Sequence, residues 1–289
     1  MNEKQKKMKI TFIDLFCGIG GFRLGMEMAG HICLGHCEID KFAKKSYTVM
    51  HNIKKGEWYA EDITKVRAEE MPKADCWCFG FPCQNISIAG AKEGLQGEQS
   101  GLFFEVIRIL RETEKENRPE WLFIENVRNL LSIEKGFDFA RILIALDKVG
   151  YDAEWQVLDS ANFGVPQHRE RLYIIGHIRG NSNIKIFPIP PKTQSESIKQ
   201  IGYRIFDKSG ISPTVMTHGG GRYNIKVLNE RDKKVRRLTP RECFRLQGFP
   251  DSYFEKAKTV NSNFQLYKQA GNSVTVNVIY EIAKKLKKE

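Results

Sequence analysis

Over the first 180 residues, short apolar runs of strand length alternate with stretches of helical period, and this alternation limits the chain to very few architectures. The strand-like runs are Lys9 to Phe16, His31 to Cys37, Ala74 to Phe79, Trp121 to Glu125, Ala153 to Leu158 and Arg171 to Ile178. Helices are predicted at Phe42 to His51, Leu102 to Glu116 and Phe137 to Lys148. Strand, helix, strand repeated in this way requires right-handed crossovers, so the expected fold is α/β, a doubly wound and mostly parallel sheet. Ligands of such sheets bind outside the carboxyl ends of the strands, which directs attention to the residues that follow each run.

After Ile178 the texture changes. Asn181 to Pro191 holds three prolines and Gly202 to Gly221 is rich in glycine and polar residues, which places a domain boundary here. From Ala270 a turn and an amphipathic helix resume, ending in Lys284, Lys285, Lys287 and Lys288, as suits a helix C-terminus. The expected organisation is a first domain over residues 1–180, a smaller second domain and hinge over 181–261, and a segment over 262–289 that returns to the first domain.

With 41% hydrophobic and 28% charged residues in 289, the composition is that of a globular protein, and no apolar run approaches a membrane span of ~18 residues. The basic start MNEKQKKMKI leads into a stretch carrying Asp14 and several glycines where an export signal would have a plain apolar core. The expectation is a cytoplasmic protein with a short frayed N-terminus. Seven cysteines form no C-x-x-C framework, so they are expected reduced, and neither Cys33/Cys37 nor Cys76/Cys78 has zinc-ribbon spacing. No metal is expected.

The net charge of +11 is local: Arg179 to Asn261 carries 17 basic against 7 acidic residues, and the rest of the chain is nearly balanced. A concentrated positive segment points to a polyanion, nucleic acid first, because each neutralised phosphate releases counterion. The plainer reading is a solvated basic face.

Four constellations carry chemistry. The first, DLFCGIGGFRLG from Asp14 to Gly25, follows a strand and opens a helix, where glycines let a ligand approach the backbone. It is not the dinucleotide fingerprint, since Arg23 stands at the third glycine position. Glu38 at the next strand end suits ribose hydroxyls and Asp62 an adenine amino group, so the set describes a nucleoside site without a demand for pyrophosphate; an ordinary turn with two solvated acids is the alternative. The second is GFPCQNIS, Gly80 to Ser87, which puts Cys83 just past a strand end, with Pro82 fixing the backbone beside the thiol. Alone, this leaves Cys83 open to a nucleophilic and a structural reading, while Cys76 and Cys78 alternate within the strand as packing residues. The third is Glu125-Asn126-Val127, where a carboxylate at a buried strand end is able to hold a proton for a substrate nitrogen, unless it serves as a cap or as an ion pair for Arg128. The fourth is QHRERLYIIG from Gln167, where Arg169 and Arg171 alternate toward one side as guanidinium forks, or as plain surface charge.

In order and spacing these sets resemble the signature of the cytosine-C5 DNA methyltransferases. The family's motifs stand here as DLFCGIGGF, the Glu38 strand end, EDI at Glu61 to Ile63, GFPCQ, ENV, QHRER, RRLTPRECFRLQGFP at Arg236 to Pro250 and QAGNSV at Gln269 to Val274. The resemblance covers most of the chain outside Arg179 to Val235. It implies an S-adenosyl-L-methionine-dependent methyltransferase sheet with a second, smaller DNA-recognition domain. It also implies the cofactor over Phe16, Gly18, Gly20 and Gly21, its ribose on Glu38, its adenine near Ile39, Asp62 and Ile63, and walls from Leu102, Asn272 and Val274. Cys83 is implied as the nucleophile on cytosine C6, supported by Pro82, Glu125, Arg169 and Arg171, with the target base flipped out of double-stranded DNA.

Within the basic segment the resemblance implies the recognition region. Thr214-Val215 resembles the family's phosphate-contacting pair. Arg204 and Arg222 are the expected guanine readers, with Arg204 also able to pair simply with Asp207, and Arg231, Lys233, Lys234, Arg236 and Arg237 the expected phosphate contacts. Gln200 and Ile201 compete for the position that fills the gap left by the flipped base. The recognition region is short, which implies a compact module and a short target. The further expectations are a monomer without an obligate protein partner or membrane contact, and a modification enzyme with a cognate restriction endonuclease. The competing substrate is RNA: the tRNA enzyme of this catalytic fold carries a Cys-Phe-Thr tripeptide, whereas this chain has only Cys78-Phe79-Gly80 and Cys243-Phe244-Arg245.

Overall fold

The computed structural model describes residues 9–81, 101–180, 184–192, 200–202, 205–206, 210–217, 225–229 and 234–288, with only the backbone given for 200–202 and 205–206. Its first part alternates as the pattern predicts: β1 Thr11–Leu15, α1 Gly21–Met28, β2 Ile32–Cys37, α2 Lys41–Met50, β3 Trp58–Ala60, β4 Cys76–Gly80, α3 Leu102–Glu112, β5 Trp121–Val127, α4 Phe137–Lys148, β6 Tyr151–Asp159 and β7 Glu170–Ile178. The seven strands form one sheet in the order β3-β2-β1-β4-β5-β7-β6, parallel except that β7 runs antiparallel between β5 and β6.

The sheet is covered on both faces, and β5 shows why its sequence is so apolar. Leu122 and Ile124 point into a core shared with α3 and α4, whereas Trp121 and Phe123 point into a second core with α1 and the C-terminal helix, and all four are fully buried. Helix α3 stops at Glu112, earlier than its periodicity suggests. The Thr113 amide and hydroxyl both return to the Ile109 carbonyl, and a short 3-10 turn at Lys115–Asn117 leads to Pro119, before which the backbone must be extended.

Beyond β7 a small sheet of order β11-β10-β9-β8 contains β8 Gln200–Gly202, β9 Ile205–Phe206, β10 Lys226–Asn229 and β11 Lys234–Arg237. Then follow α5 Pro240–Leu246, α6 Asp251–Ala257, α7 Asn263–Asn272 and α8 Val276–Ala283. Two stretches that composition groups with the small domain sit against the large one. Ile186 and Ile189 are buried in the second core, and the Glu154 carboxylate accepts the amides of Ile186 and Phe187. Helices α5 and α6, together with α7 of the returning segment, join Ile19, Leu24 and Met50 in a third core, with Asn261 donating to the Phe42 carbonyl at 2.8 Å and Ser46 to Gln269 at 2.8 Å. Helix α8 packs on α1, and Trp121 Nε1 donates to the Lys287 carbonyl. Among the described residues no helix is long and apolar enough to cross a membrane.

Candidate active site

The carboxyl ends of β1, β2, β4 and β5 and the start of β7 converge on one edge of the large sheet. After β1 the chain turns through Phe16, Gly18 and Gly20 in the left-handed region, with φ of 53°, 56° and 79°. The Gly18 amide donates to Glu38 Oε2 and the Asp40 amide to Oε1, each at 2.7 Å. Burial raises the Glu38 proton affinity and these backbone donors oppose it. A side chain at Gly20 would collide with the His51 ring, and one at Gly21 would stand 2.7 Å from Val274, so the loop is packed from behind by α2 and by the turn after α7. Above Gly18, by contrast, a Cβ would meet nothing within 4 Å among the described residues. Ile39 is 74% exposed beside this opening, an unusual position for a large apolar side chain. Asp14 is fully buried below it, with Oδ2 taking the Arg23 amide and Oδ1 without a partner among the described residues.

The other residues expected around a cofactor occupy different settings. Asp62 caps the turn Ile63–Lys65, its Oδ1 accepting the Thr64 amide and hydroxyl. The Ile63 side chain belongs to the first core, which leaves only its backbone to line a site. Leu102 opens α3 and packs at the edge of that core, and Asn272 is exposed at the end of α7.

On the catalytic side, Arg171 Nε lies 3.2 Å from Glu125 Oε1, and both side chains are mostly shielded from solvent. Burial pushes the Glu125 carboxyl up, while Arg171 and then Arg169 pull it down. The partner of Glu125 is therefore Arg171, and Arg128 instead pairs with Glu170. Gly80 lies across from Glu125 in the parallel pair, and a Cβ there would come within 3.0 Å of Glu125 Oε2. Pro82 and Cys83 lie outside the described residues. The chain leading to them is fixed as far as Phe81, whose carbonyl accepts a 3.0 Å hydrogen bond from buried Asn126.

The two arginines of QHRER divide their work. Arg171 faces the carboxylate, but Arg169 is buried and its fork is spent on backbone: Nη2 donates to Gly271 and Ser273 carbonyls at 3.0 and 2.8 Å, and Nη1 reaches Val215 at 3.4 Å. Burial, with Arg171 beside it, lowers Arg169 to about 9, which leaves it charged at neutral pH. Asp159 orients this stretch, pairing with His168 Nδ1 and accepting the Arg169 amide. Gln167 joins it to the neighbouring segments, its Nε2 donating to Leu246 and its Oε1 accepting the Val215 amide. Asp159 carried no signal of its own in the sequence, and Asn126 only its place in ENV, because their role is to hold backbone that becomes adjacent only after folding.

Of the residues expected to touch DNA, Arg204, Arg222, Arg231 and Lys233 lie outside the described residues, and Gln200 and Ile201 are described only as backbone in β8. The Thr214 hydroxyl donates to the His168 carbonyl at 2.7 Å. Arg236 is exposed on β11 but forms a two-pronged pair with Glu242 at 2.9 and 2.8 Å, and Glu242 closes the capping box with Thr239 at the start of α5.

The order of these parts matches one family model, that of the C-5 cytosine-specific DNA methylases, over residues 10–225 and 191–288. The chain belongs to this family. The methylase is 34% identical to the type II methyltransferase M.HhaI of Haemophilus parahaemolyticus, a match covering 95% of this chain and 93% of that one. It is also 34% identical to M.DsaV of Dactylococcopsis salina, over 97% of this chain and 87% of that one. Among solved structures it superposes on Schizosaccharomyces pombe Dnmt2 with a TM-score of 0.74 at 19% identity, covering 95% and 98% of the two chains. The methyltransferase EhMeth of Entamoeba histolytica gives 0.75, also at 19%, over 96% and 98%. These two likenesses concern the fold of the methylase.

Proposed function

We propose that this methylase transfers a methyl group from S-adenosyl-L-methionine to C5 of a cytosine flipped out of a short specific site in duplex DNA, with Cys83 forming a transient bond to C6. The observation that carries this reading is the shielded Glu125–Arg171 pair, set across from Gly80 only three positions before Cys83. Cytosine C5 is a poor nucleophile until C6 carries an adduct, and a carboxyl with raised proton affinity is suited to bonding N3 and the exocyclic amine as charge enters the ring. Cys83 adds to C6 and leaves again after C5 has lost its proton to water. Arg171 holds Glu125 in place, and Pro82 constrains the loop.

The glycine loop fits the donor. Among the described residues, the open space above Gly18, the shielded Glu38 carboxylate and the exposed apolar Ile39 suit a nucleoside. Phe16, Gly18, Gly20, Gly21, Glu38, Ile39, Asp62, the Ile63 backbone, Leu102, Asn272 and Val274 would hold it. When bound it supplies an electrophilic methyl group. The basic segment would grip the duplex while the large domain performs the chemistry, with Thr214 and Arg236 at its described edge and Arg204, Arg222 and Lys233 beyond it. The type II names of the relatives support a DNA modification enzyme; the further reading is of a cytoplasmic monomer acting beside a cognate restriction endonuclease.

Methyl transfer from labelled S-adenosyl-L-methionine to duplex DNA and to tRNA tests the substrate, and the expected label is on DNA. Duplex carrying 5-fluorocytosine should trap the protein irreversibly, because fluorine cannot depart as the proton does. Survival of the trapped adduct in Cys83→Ser would refute the assignment of the nucleophile.

A further inference from the structure

Two polar atoms at the catalytic end of β7 are buried without a hydrogen-bond partner among the described residues: the Tyr173 hydroxyl and Arg169 Nε. An unpaired buried polar group is costly, and two of them beside a reactive carboxyl call for a common explanation. Residues 169, 171 and 173 alternate along the strand direction and so share one side of the sheet. Tyr173 lies directly opposite Glu125 in the antiparallel β5–β7 pair, where facing side chains stand next to each other. Tyr173 packs its ring against Phe123 in the second core, and among the described residues the charged groups acting on its hydroxyl are Glu125, Arg171 and Arg169. Arg171 Nε is engaged by Glu125, and both terminal nitrogens of Arg169 are engaged by carbonyls, which leaves the Arg169 Nε hydrogen to be placed.

We propose that in the working enzyme the Tyr173 hydroxyl, which makes neither bond in this structure, turns to accept a hydrogen bond from Arg169 Nε and to donate its own hydrogen to the Glu125 carboxylate, as a positioning group for Glu125. A phenol oxygen accepts while its O–H donates, so this single chain satisfies both orphaned atoms. Burial keeps the phenol protonated far above neutral pH, as a donor must be. The chain also continues through Arg169 to the Gly271 and Ser273 carbonyls, which ties the carboxyl to the loop that backs the glycine turn. The inference rests on the reading of Glu125 as the group that bonds the cytosine ring.

Among the described residues the charged groups facing Glu125 are Arg171 from β7 and Arg169 just before it, and β4 presents Gly80. A donor to the ionised carboxylate favours ionisation, so its loss raises the proton affinity of Glu125. The test is the pH dependence of single-turnover methylation of duplex DNA by the full-length protein, Tyr173→Phe and Glu125→Gln. If protonated Glu125 carries the rate, activity falls as pH rises through its pKa, and in Tyr173→Phe that alkaline limb moves upward by about half a unit to one unit. Glu125→Gln is expected to lose the rate at every pH, and a Gln variant with wild-type activity would sink the reading of Glu125 itself. With the Gln variant inactive, an unmoved limb in Tyr173→Phe, a shift toward acid, or a wild-type profile lacking the limb would each overturn the role given to Tyr173.

Discussion

Replacing Gly18 and Gly20 by alanine, one at a time, separates a glycine that leaves room for a ligand from one that the fold itself requires. Both have positive φ, which costs a residue with a Cβ roughly 1 to 2 kcal/mol. At Gly18 the added methyl enters open space, so Gly18→Ala should lower stability by only about 1 kcal/mol, or a Tm shift of roughly 2 to 4 °C. At Gly20 the methyl would lie 2.1 Å from His51 Nε2, and that ring is buried and bonded to the Ile19 carbonyl at 2.9 Å. Moving it strands a buried carbonyl, which adds about 1 to 3 kcal/mol, so Gly20→Ala should lose about 2 to 5 kcal/mol in all. Urea denaturation of both variants and calorimetric titration with S-adenosyl-L-methionine provide the two readouts. Gly18→Ala should stay folded and bind the cofactor at least about tenfold more weakly, the effect of losing about 1.4 kcal/mol of contact. Unchanged cofactor affinity in a folded Gly18→Ala would refute the placement of the cofactor above this loop.

Three further outcomes follow from the same geometry. The shielded Glu57 carboxylate is held down at about 2, with its buried partners His36 and Arg23 outweighing the cost of its own burial; its folded pKa lies below the ordinary value of 4.5, so this stability is present above that value and is lost as pH falls toward 2. Glu57→Gln should therefore cost on the order of 3 kcal/mol in urea denaturation at pH 7 and progressively less in acid; an equal cost at both ends would remove the ion pair as the cause. Arg169→Lys keeps a charge but cannot reach three carbonyls, and should lower stability by about 2 kcal/mol while weakening cofactor binding, a result calorimetry would contradict if affinity were intact. Over a randomised site library, Arg204→Ala should lose selectivity at one position, whereas Lys233→Ala should weaken methylation of all sequences evenly; an unchanged site preference in active Arg204→Ala would take it out of the reading set.

By itself the sequence determined the alternating strands and helices, the glycine turn, and the position of Glu125 at a strand end, because each of these is written in local periodicity or in a contiguous motif. The range of α4 is read correctly to the residue, since Gly136 and Val149 bound an unbroken helical period. What only the tertiary structure decided concerns pairs far apart in the chain. The QHRER motif shows two arginines on one side of a strand, yet whether each meets a carboxylate or a carbonyl depends on what folding brings there. Glu125 arrives from β5 for Arg171, and Gly271 and Ser273 arrive from the end of the chain for Arg169. Composition likewise placed the domain boundary at the prolines after Ile178, but Ile186 and Ile189 are buried in the second core of the large domain, with the Glu154 carboxylate accepting the Ile186 amide and Gln156 Oε1 the Ile189 amide. A segment's composition records how much surface it must hide, and only the assembled fold supplies the surface it hides against.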